Sequence, residues 1–147
     1  MNAITVSLRV TAPGRAARVS AGRRHFAIGR PVEFDAASPD VSALEYALGA
    51  AGGEIVNGLR EFARRRRIEI DAIEALVTGE LEEALAYLEV VGETAAPRIG
   101  SITVKVFVAA PDGPAVRALF SEMLERLPLT VTLRRALDFT TELILTS

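Results

Sequence analysis

The chain has 147 residues, of which 50% are hydrophobic and 24% are charged, and it contains one histidine and no cysteine. This length suits one domain with a hydrophobic core, so we expect a single domain over residues 1–147. Without cysteine the chain has no thiol to act as a nucleophile, redox centre or metal ligand. A lone histidine also excludes a multi-histidine metal site. We therefore expect neither a metal nor a cofactor.

Charge and hydropathy argue against two further classes of partner. The formal net charge is −2, so no overall basic field attracts nucleic acid. No apolar run reaches the roughly 18 residues that a membrane-spanning helix needs. The first residues, MNAITVSLRV, alternate polar and apolar side chains and lack the layout of a signal peptide. We expect a cytoplasmic protein with no nucleic-acid or membrane partner.

The N-terminal part of the chain has the pattern of a β-meander. Apolar side chains alternate with polar ones over residues 4–10, which is the period of a half-buried strand. Pro13-Gly14 and Ala21-Gly22 are typical of turns. Further short strands are predicted over residues 15–20, 24–28 and 32–34.

A long amphipathic helix is predicted next, from about residue 41 to about residue 67, opened by Ser38-Pro39-Asp40. Its apolar residues recur at spacings of three and four: Leu44, Leu48, Ala51, Ile55, Leu59 and Phe62. The helix also contains four glycines, Gly49, Gly52, Gly53 and Gly58. Each helical glycine costs about 1 kcal/mol relative to alanine. We expect another backbone to approach this helix closely and to offset that cost.

The second half of the chain alternates strands and a helix. In chain order the patterns predict a strand over 73–78, a segment over 81–88 that fits either a short helix or a strand, a loop over 92–100 and a strand over 102–108. A second amphipathic helix begins at Asp112-Gly113-Pro114 and ends at Pro128. A last strand from Leu137 closes the chain. The fold class is α+β: an N-terminal β-meander, a long central helix, a strand pair, a second helix and a C-terminal strand.

This order of elements, with a Gly/Ala-rich central helix and a helix–proline–short turn–strand ending, resembles the OsmC/Ohr superfamily (osmotically inducible protein C and organic hydroperoxide resistance protein). The resemblance covers most of the chain from Arg30 onward. It is strongest over 44–78, which contains ALGAAGGEIVNGLREF, and over 127–147, which reads LPLTVTLRRALDFTTELILTS. It implies an intertwined homodimer with active sites at the subunit interface. It also implies a role in oxidative stress. Members of the superfamily with this activity reduce organic hydroperoxides by means of two cysteines.

Both cysteines of that reaction are missing. The second family cysteine stands before a proline, where this chain has Leu127-Pro128-Leu129. Peroxide reduction needs a thiolate that becomes a sulfenic acid and a second thiol that resolves it. The two methionines, Met1 and Met123, do not form a self-regenerating pair. We expect thiol peroxidase activity to be absent.

The first family cysteine falls within the central helix, and three alignments place it differently. If Leu-Gly-Ala at 48–50 is the small-residue pattern that precedes the cysteine, Ala51 takes its place. If the pattern is Ala-Ala-Gly-Gly at 50–53, counted without gaps to the next strand, Glu54 takes its place, and we prefer this alignment. Counting forward from Asp40 suggests Ala50.

The resemblance also implies an arginine and a carboxylate that orient the substrate. By spacing to Pro39, Arg30 matches the arginine and Asp40 stands where the carboxylate would be. Asp40 alternatively stabilises the N-terminus of the long helix. The candidate ligand-binding residues are therefore Arg30, Asp40, Ala51, Glu54 and Leu127, and no residue is predicted to be catalytic.

Two other polar features have alternative interpretations. Glu54 lies at the edge of the apolar stripe, where it is either a perturbed acid in a pocket or a structural carboxylate paired with an arginine of the partner subunit. The run Arg64–Arg67 contacts phosphate or forms a solvated helix end. His25, alone in a predicted strand, is interpreted as a surface or otherwise satisfied position.

Three functions remain open. The leading hypothesis is an OsmC-like homodimer without thiol peroxidase activity that binds a small apolar molecule at the interface pocket. The second is an enzyme that uses Glu54 or Asp40 as a general acid/base. The third is a purely structural, stress-associated homodimer.

Overall fold

A computed structural model of the chain describes residues 2–30 and 39–147. They fall into two units, Met1–Ala47 and Leu48–Ser147, each with its own internal contacts. The strand predicted over 32–34 lies outside the described residues. No helix of the described part is long and apolar enough to cross a membrane.

The first unit contains the predicted meander. Its antiparallel strands are β1 (Arg9–Thr11), β2 (Ala17–Ala21) and β3 (Arg24–Ile28), paired in the order β1-β2-β3. The register aligns Val10 with Val19 and Val19 with Phe26, so these side chains share one face. Strand β1 is shorter than predicted, because residues 4–8 form no ladder in the described structure.

The long helix α1 spans Ala43–Arg66, close to the predicted range. Its N-terminus is a capping box in which the Ser42 hydroxyl accepts the Glu45 N–H (3.2 Å) and the Glu45 carboxylate accepts the Ser42 N–H (3.0 Å). The backbone hydrogen bond from Ser42 is the main reason why the pKa of Glu45 is lowered. The expectation that Asp40 caps this helix is therefore wrong, because Ser42 and Glu45 fill that role.

The second unit contains a three-stranded sheet, in which the predicted C-terminal strand joins the predicted strand pair. Its strands are β4 (Ala72–Glu82), β5 (Arg98–Ala109) and β6 (Asp138–Thr146), in the order β4-β5-β6. Strand β4 runs antiparallel to β5, whereas β6 runs parallel to it. The ambiguous segment over 81–88 divides between the end of β4 and a short helix, α2 (Ala84–Tyr87).

Two helices connect β5 to β6. Helix α3 spans Gly113–Leu124, and the Asp112 side chain accepts the Ala115 N–H (3.1 Å) at its N-terminus. Helix α4 spans Pro128–Ala136 and was not predicted, since a short turn was expected there. Its sequence, PLTVTLRRA, has β-branched residues that favour helix only weakly. Proline at the first position and a contact from α1 compensate for that weakness.

The core of the second unit lies between α1, α3 and the inner face of the sheet. Its buried residues include Ile55 and Leu59 of α1, alternate residues of β5 from Ile102 to Val108, and Met123 of α3. Two helical glycines allow close packing here. A Cβ at Gly52 would overlap the Val77 side chain, and one at Gly58 would lie 2.8 Å from Leu127 Cδ2. The helix is therefore closely packed at these two positions, but its neighbours there are the side chains of Val77 and Leu127 and not the expected backbone.

We expect Gly52→Ala to destabilise the protein by about 1–3 kcal/mol, because the added methyl group overpacks against Val77. Urea unfolding followed by circular dichroism measures the change. In a Val77→Ala background the same substitution should cost at least about 1 kcal/mol less, since the neighbouring side chain is smaller. Equal costs in the two backgrounds would contradict the contact.

Candidate functional site

Glu54 binds the N-terminus of helix α4. Its Oε2 accepts the N–H of Leu129 (2.9 Å), and its Oε1 accepts both the N–H of Thr130 (2.8 Å) and the Thr130 hydroxyl (2.9 Å). Thr130 is fully buried and Glu54 is half-buried. The carboxylate thus receives three hydrogen bonds from residues more than seventy positions away in the sequence.

Helix α4 needs this external acceptor because of the residue at its own N-cap. The first N–H groups of a helix have no partner within the helix. They are usually bound by a Ser, Thr, Asp or Asn at the N-cap, but here the N-cap is Leu127, which makes no side-chain cap. Pro128 removes one N–H, and Glu54 accepts the next two. A negative group there also interacts favourably with the helix dipole.

The Leu127 side chain packs against Gly58 of α1, which lies one helical turn after Glu54. Gly58 has no side chain, and the space beside it holds the Leu127 and Met123 side chains. Leu127 is only 6% exposed. Since residues 54 and 58 are one turn apart on α1, the same face of this helix binds the α4 N-terminus and packs against its N-cap residue.

The other predicted site residues have different surroundings. Ala51 is fully buried in α1. In the first unit, the Gly29 N–H donates to the Val41 carbonyl (2.8 Å), and a Cβ at Gly29 would overlap the Asp40 side chain. The chain at the end of β3 therefore lies against Asp40, next to Arg30. Both Arg30 and Asp40 are exposed.

Glu54 makes no ion pair within the described chain, so its structural partner there is a helix terminus and not an arginine. Sequence reasoning singled out Glu54 but missed Thr130 and the two backbone amides. One available signal was Leu127-Pro128, because a proline at a helix start without a polar N-cap implies an acceptor from elsewhere. The chain offers no sequence pattern that says which residue supplies it.

The arginine run at the end of α1 is largely ion-paired. Arg64 and Arg65 bind Glu61 (2.8 and 2.9 Å), and their hydrogen bonds lower the pKa of Glu61 to about 2. Arg66 binds Glu122 of α3, whose pKa is lowered by that hydrogen bond. This arrangement favours a solvated helix end over a phosphate site. His25 is exposed on β3, which agrees with a surface position.

No protein-family model and no curated protein matches the sequence. Solved structures do match. An OsmC-like protein from Mycoplasma pneumoniae has a TM-score of 0.78 at 12% identity, with 98% of this chain and 99% of that chain covered. The chain has the OsmC/Ohr fold. An OsmC-like protein of unknown function from Vibrio cholerae (TM-score 0.74, 12% identity, 97% and 100% covered) agrees with this conclusion. So does the organic hydroperoxide resistance protein OhrB of Bacillus subtilis (0.63, 22%, 95% and 98%).

The resemblance inferred from the sequence is thereby confirmed at the level of the fold. This OsmC/Ohr-like chain contains no cysteine. In its second unit, α1 and the residues beside Pro128 meet through a carboxylate–helix contact and a leucine–glycine contact. These contacts hold α1 and α4 together and involve no thiol.

We expect Glu54→Ala to lower the free energy of unfolding by about 1–3 kcal/mol, because it leaves two α4 amides and the buried Thr130 hydroxyl without their acceptor. Glu54→Gln should cost less, since one amide oxygen still accepts. Chemical unfolding measures both. Glu69→Ala is the matched control: this glutamate is exposed and makes no hydrogen bond within the described chain, so its removal should change stability by less than about 0.5 kcal/mol.

Proposed function

We propose that this protein is an OsmC/Ohr-like homodimer, a single domain over residues 1–147, that has lost thiol peroxidase chemistry and binds a small, largely apolar molecule at its subunit interface. The observation that carries the proposal is the junction of α1 and α4. Glu54 and Leu127, which match the family's redox positions in our preferred alignment, are engaged in hydrogen bonding and packing. The fold is kept while the reactive groups are replaced by structural contacts.

The outer face of α1 supports the homodimer. Gly52 and Gly58 are explained by packing within the second unit, but a Cβ at Gly49 or Gly53 would meet no described atom within 4 Å. Ala50, on the same outward side, is exposed. A helix surface this smooth lets a second backbone approach closely, which would offset the cost of the outward glycines.

Exposed apolar side chains support both the homodimer and a binding site of apolar character. Near the N-terminus, Ile4 is 93% exposed and Val6 82%, although both belong to an alternating pattern typical of a covered surface. Val41, just before α1, is also exposed. Such side chains suit contact with a second subunit and with an apolar ligand held between subunits. Arg30 and Asp40 would supply polar contacts to that ligand.

The acid/base enzyme is the weaker alternative. The oxygens of Glu54 already accept three hydrogen bonds from α4 and Thr130, so proton transfer would have to disrupt a structural contact. Asp40 is exposed, and nothing described around it resembles a desolvated catalytic site. Ligand binding by the dimer, measured with an apolar dye, distinguishes a binding protein from a purely structural homodimer.

We expect the purified protein to consume an organic hydroperoxide, with dithiothreitol as the reductant, no faster than the same mixture without protein. The chain has no thiol that could form the sulfenic acid. Peroxide consumption is followed by a ferrous-ion colorimetric assay, with heat-denatured protein as the control. Turnover that depends on folded protein would overturn the proposed loss of activity.

We expect Gly53→Leu to weaken dimerisation at least about tenfold, or about 1.4 kcal/mol, because the larger side chain separates the two helices. Sedimentation velocity measures the dimer fraction against concentration. Ala118→Leu, which adds similar bulk to an exposed position of α3, is the control and should leave the dimer unchanged.

The same pair of variants tests ligand binding. The dimer should bind the apolar dye Nile red saturably, and Gly53→Leu should lose this binding together with dimerisation. A dimer that binds neither Nile red nor a range of apolar compounds would support the purely structural alternative.

A further inference from the structure

Charge is strongly segregated along this chain. Residues 1–32 contain six arginines, from Arg9 to Arg30, and no aspartate or glutamate. Residues 68–97 contain eight acidic residues, from Glu69 to Glu93, and no lysine or arginine. The formal net charge of −2 conceals this segregation, because the two blocks largely cancel. We call the meander arginines 9, 15, 18, 23 and 24 the basic surface, and the acidic residues of 69–93 the acidic surface.

Most charges of these two surfaces make no ion pair within the described chain. Several arginines outside the basic surface do pair with carboxylates, as in Arg66–Glu122 and Arg134–Glu125. None of the five arginines of the basic surface makes an ion pair within the described chain. On the acidic surface only Glu82 does, with Arg98. All the residues of both surfaces are exposed.

The strand registers place some residues of each surface on a common face, although Arg24 pairs with Ala21 and so lies on the Val19 side of the meander. In the meander, Thr11 pairs with Arg18 and Arg9 pairs with Ser20, so both arginines lie on the face opposite to Val19. In β4, Glu74 and Glu80 are exposed and alternate with half-buried residues such as Val77. Strand β4 is also the edge of its sheet among the described strands. A long edge strand is a natural place for another chain to dock.

We propose that the basic surface of one copy docks against the acidic surface of a second copy, so that charge complementarity strengthens and selects the homodimer. Two-fold symmetry would form this contact twice, because each copy presents both surfaces. The inference rests on the proposed homodimer and adds to it the interaction that chooses the partner. A nucleic acid suits the basic surface less well, since the same chain carries an equally dense acidic block that would repel phosphates.

The first test is the salt dependence of dimerisation. Between about 0.1 M and about 1 M sodium chloride the Debye length falls from about 10 Å to about 3 Å, which screens exposed charges. We expect the dimer dissociation constant, measured by sedimentation velocity, to rise at least about tenfold. A wild-type protein that is monomeric at every salt and protein concentration would refute the homodimer itself. A dimer that is insensitive to salt would refute only the charge contact.

The second test exchanges the charges. One variant carries Arg9→Glu and Arg18→Glu, and the other carries Glu74→Arg and Glu80→Arg. Each alone should dimerise at least about tenfold more weakly than wild type, because like charges then face one another. An equimolar mixture should form the heterodimer in preference to either homodimer, since opposite charges meet again at both contacts. Native mass spectrometry identifies the species.

A matched control reverses two exposed arginines outside both surfaces, Arg117→Glu and Arg135→Glu, and should dimerise like wild type. Far-UV circular dichroism shows whether every variant is folded. The charge contact between copies is wrong if both exchange variants dimerise as strongly as wild type. It is also wrong if mixing them yields no heterodimer. The proposal is also overturned if the arginine variant loses binding to a duplex DNA oligonucleotide while its dimerisation is unchanged.

Discussion

The contact between Glu54 and the first turn of α4 is the constraint on which the second unit depends. Helix α4 is short, begins with a leucine at its N-cap and has a sequence that favours helix weakly. A carboxylate from the central helix accepts the amides that its own N-cap leaves unbound. The position of α4 in turn sets where β6 starts, because only Leu137 separates the helix from the strand.

The same face of α1 explains how an OsmC/Ohr-like fold tolerates the absence of thiols. Because Gly58 and Gly52 have no side chains, the Leu127 and Val77 side chains pack directly against the helix. At this junction Leu127 packs in the core, and the Glu54 carboxylate accepts the first amides of α4.

The meander buries much less apolar surface than the second unit does. Only Val19 among its apolar side chains is buried, and the Phe26 ring contacts Tyr46 of α1 with a centroid separation of 5.0 Å. A three-stranded sheet with this little buried surface has few sources of stability within one chain. Its five arginines without ion pairs in the described chain and its exposed apolar residues are groups that a second molecule could cover. In the charge contact that we propose, the acidic surface of a second copy is the electrostatic partner of these arginines.

The sequence by itself determined the fold class, the extent of α1, the meander turns and the absence of any thiol. These follow from local periodicity, turn residues and the presence or absence of a residue type. It did not determine α4, the parallel pairing of β6 with β5, the capping of α1 by Ser42 instead of Asp40, or the acceptor of the α4 amides. Those depended on tertiary structure, because a weak helix and a helix terminus are stabilised by groups distant in sequence. Glu54 meets Thr130 only after the chain has folded.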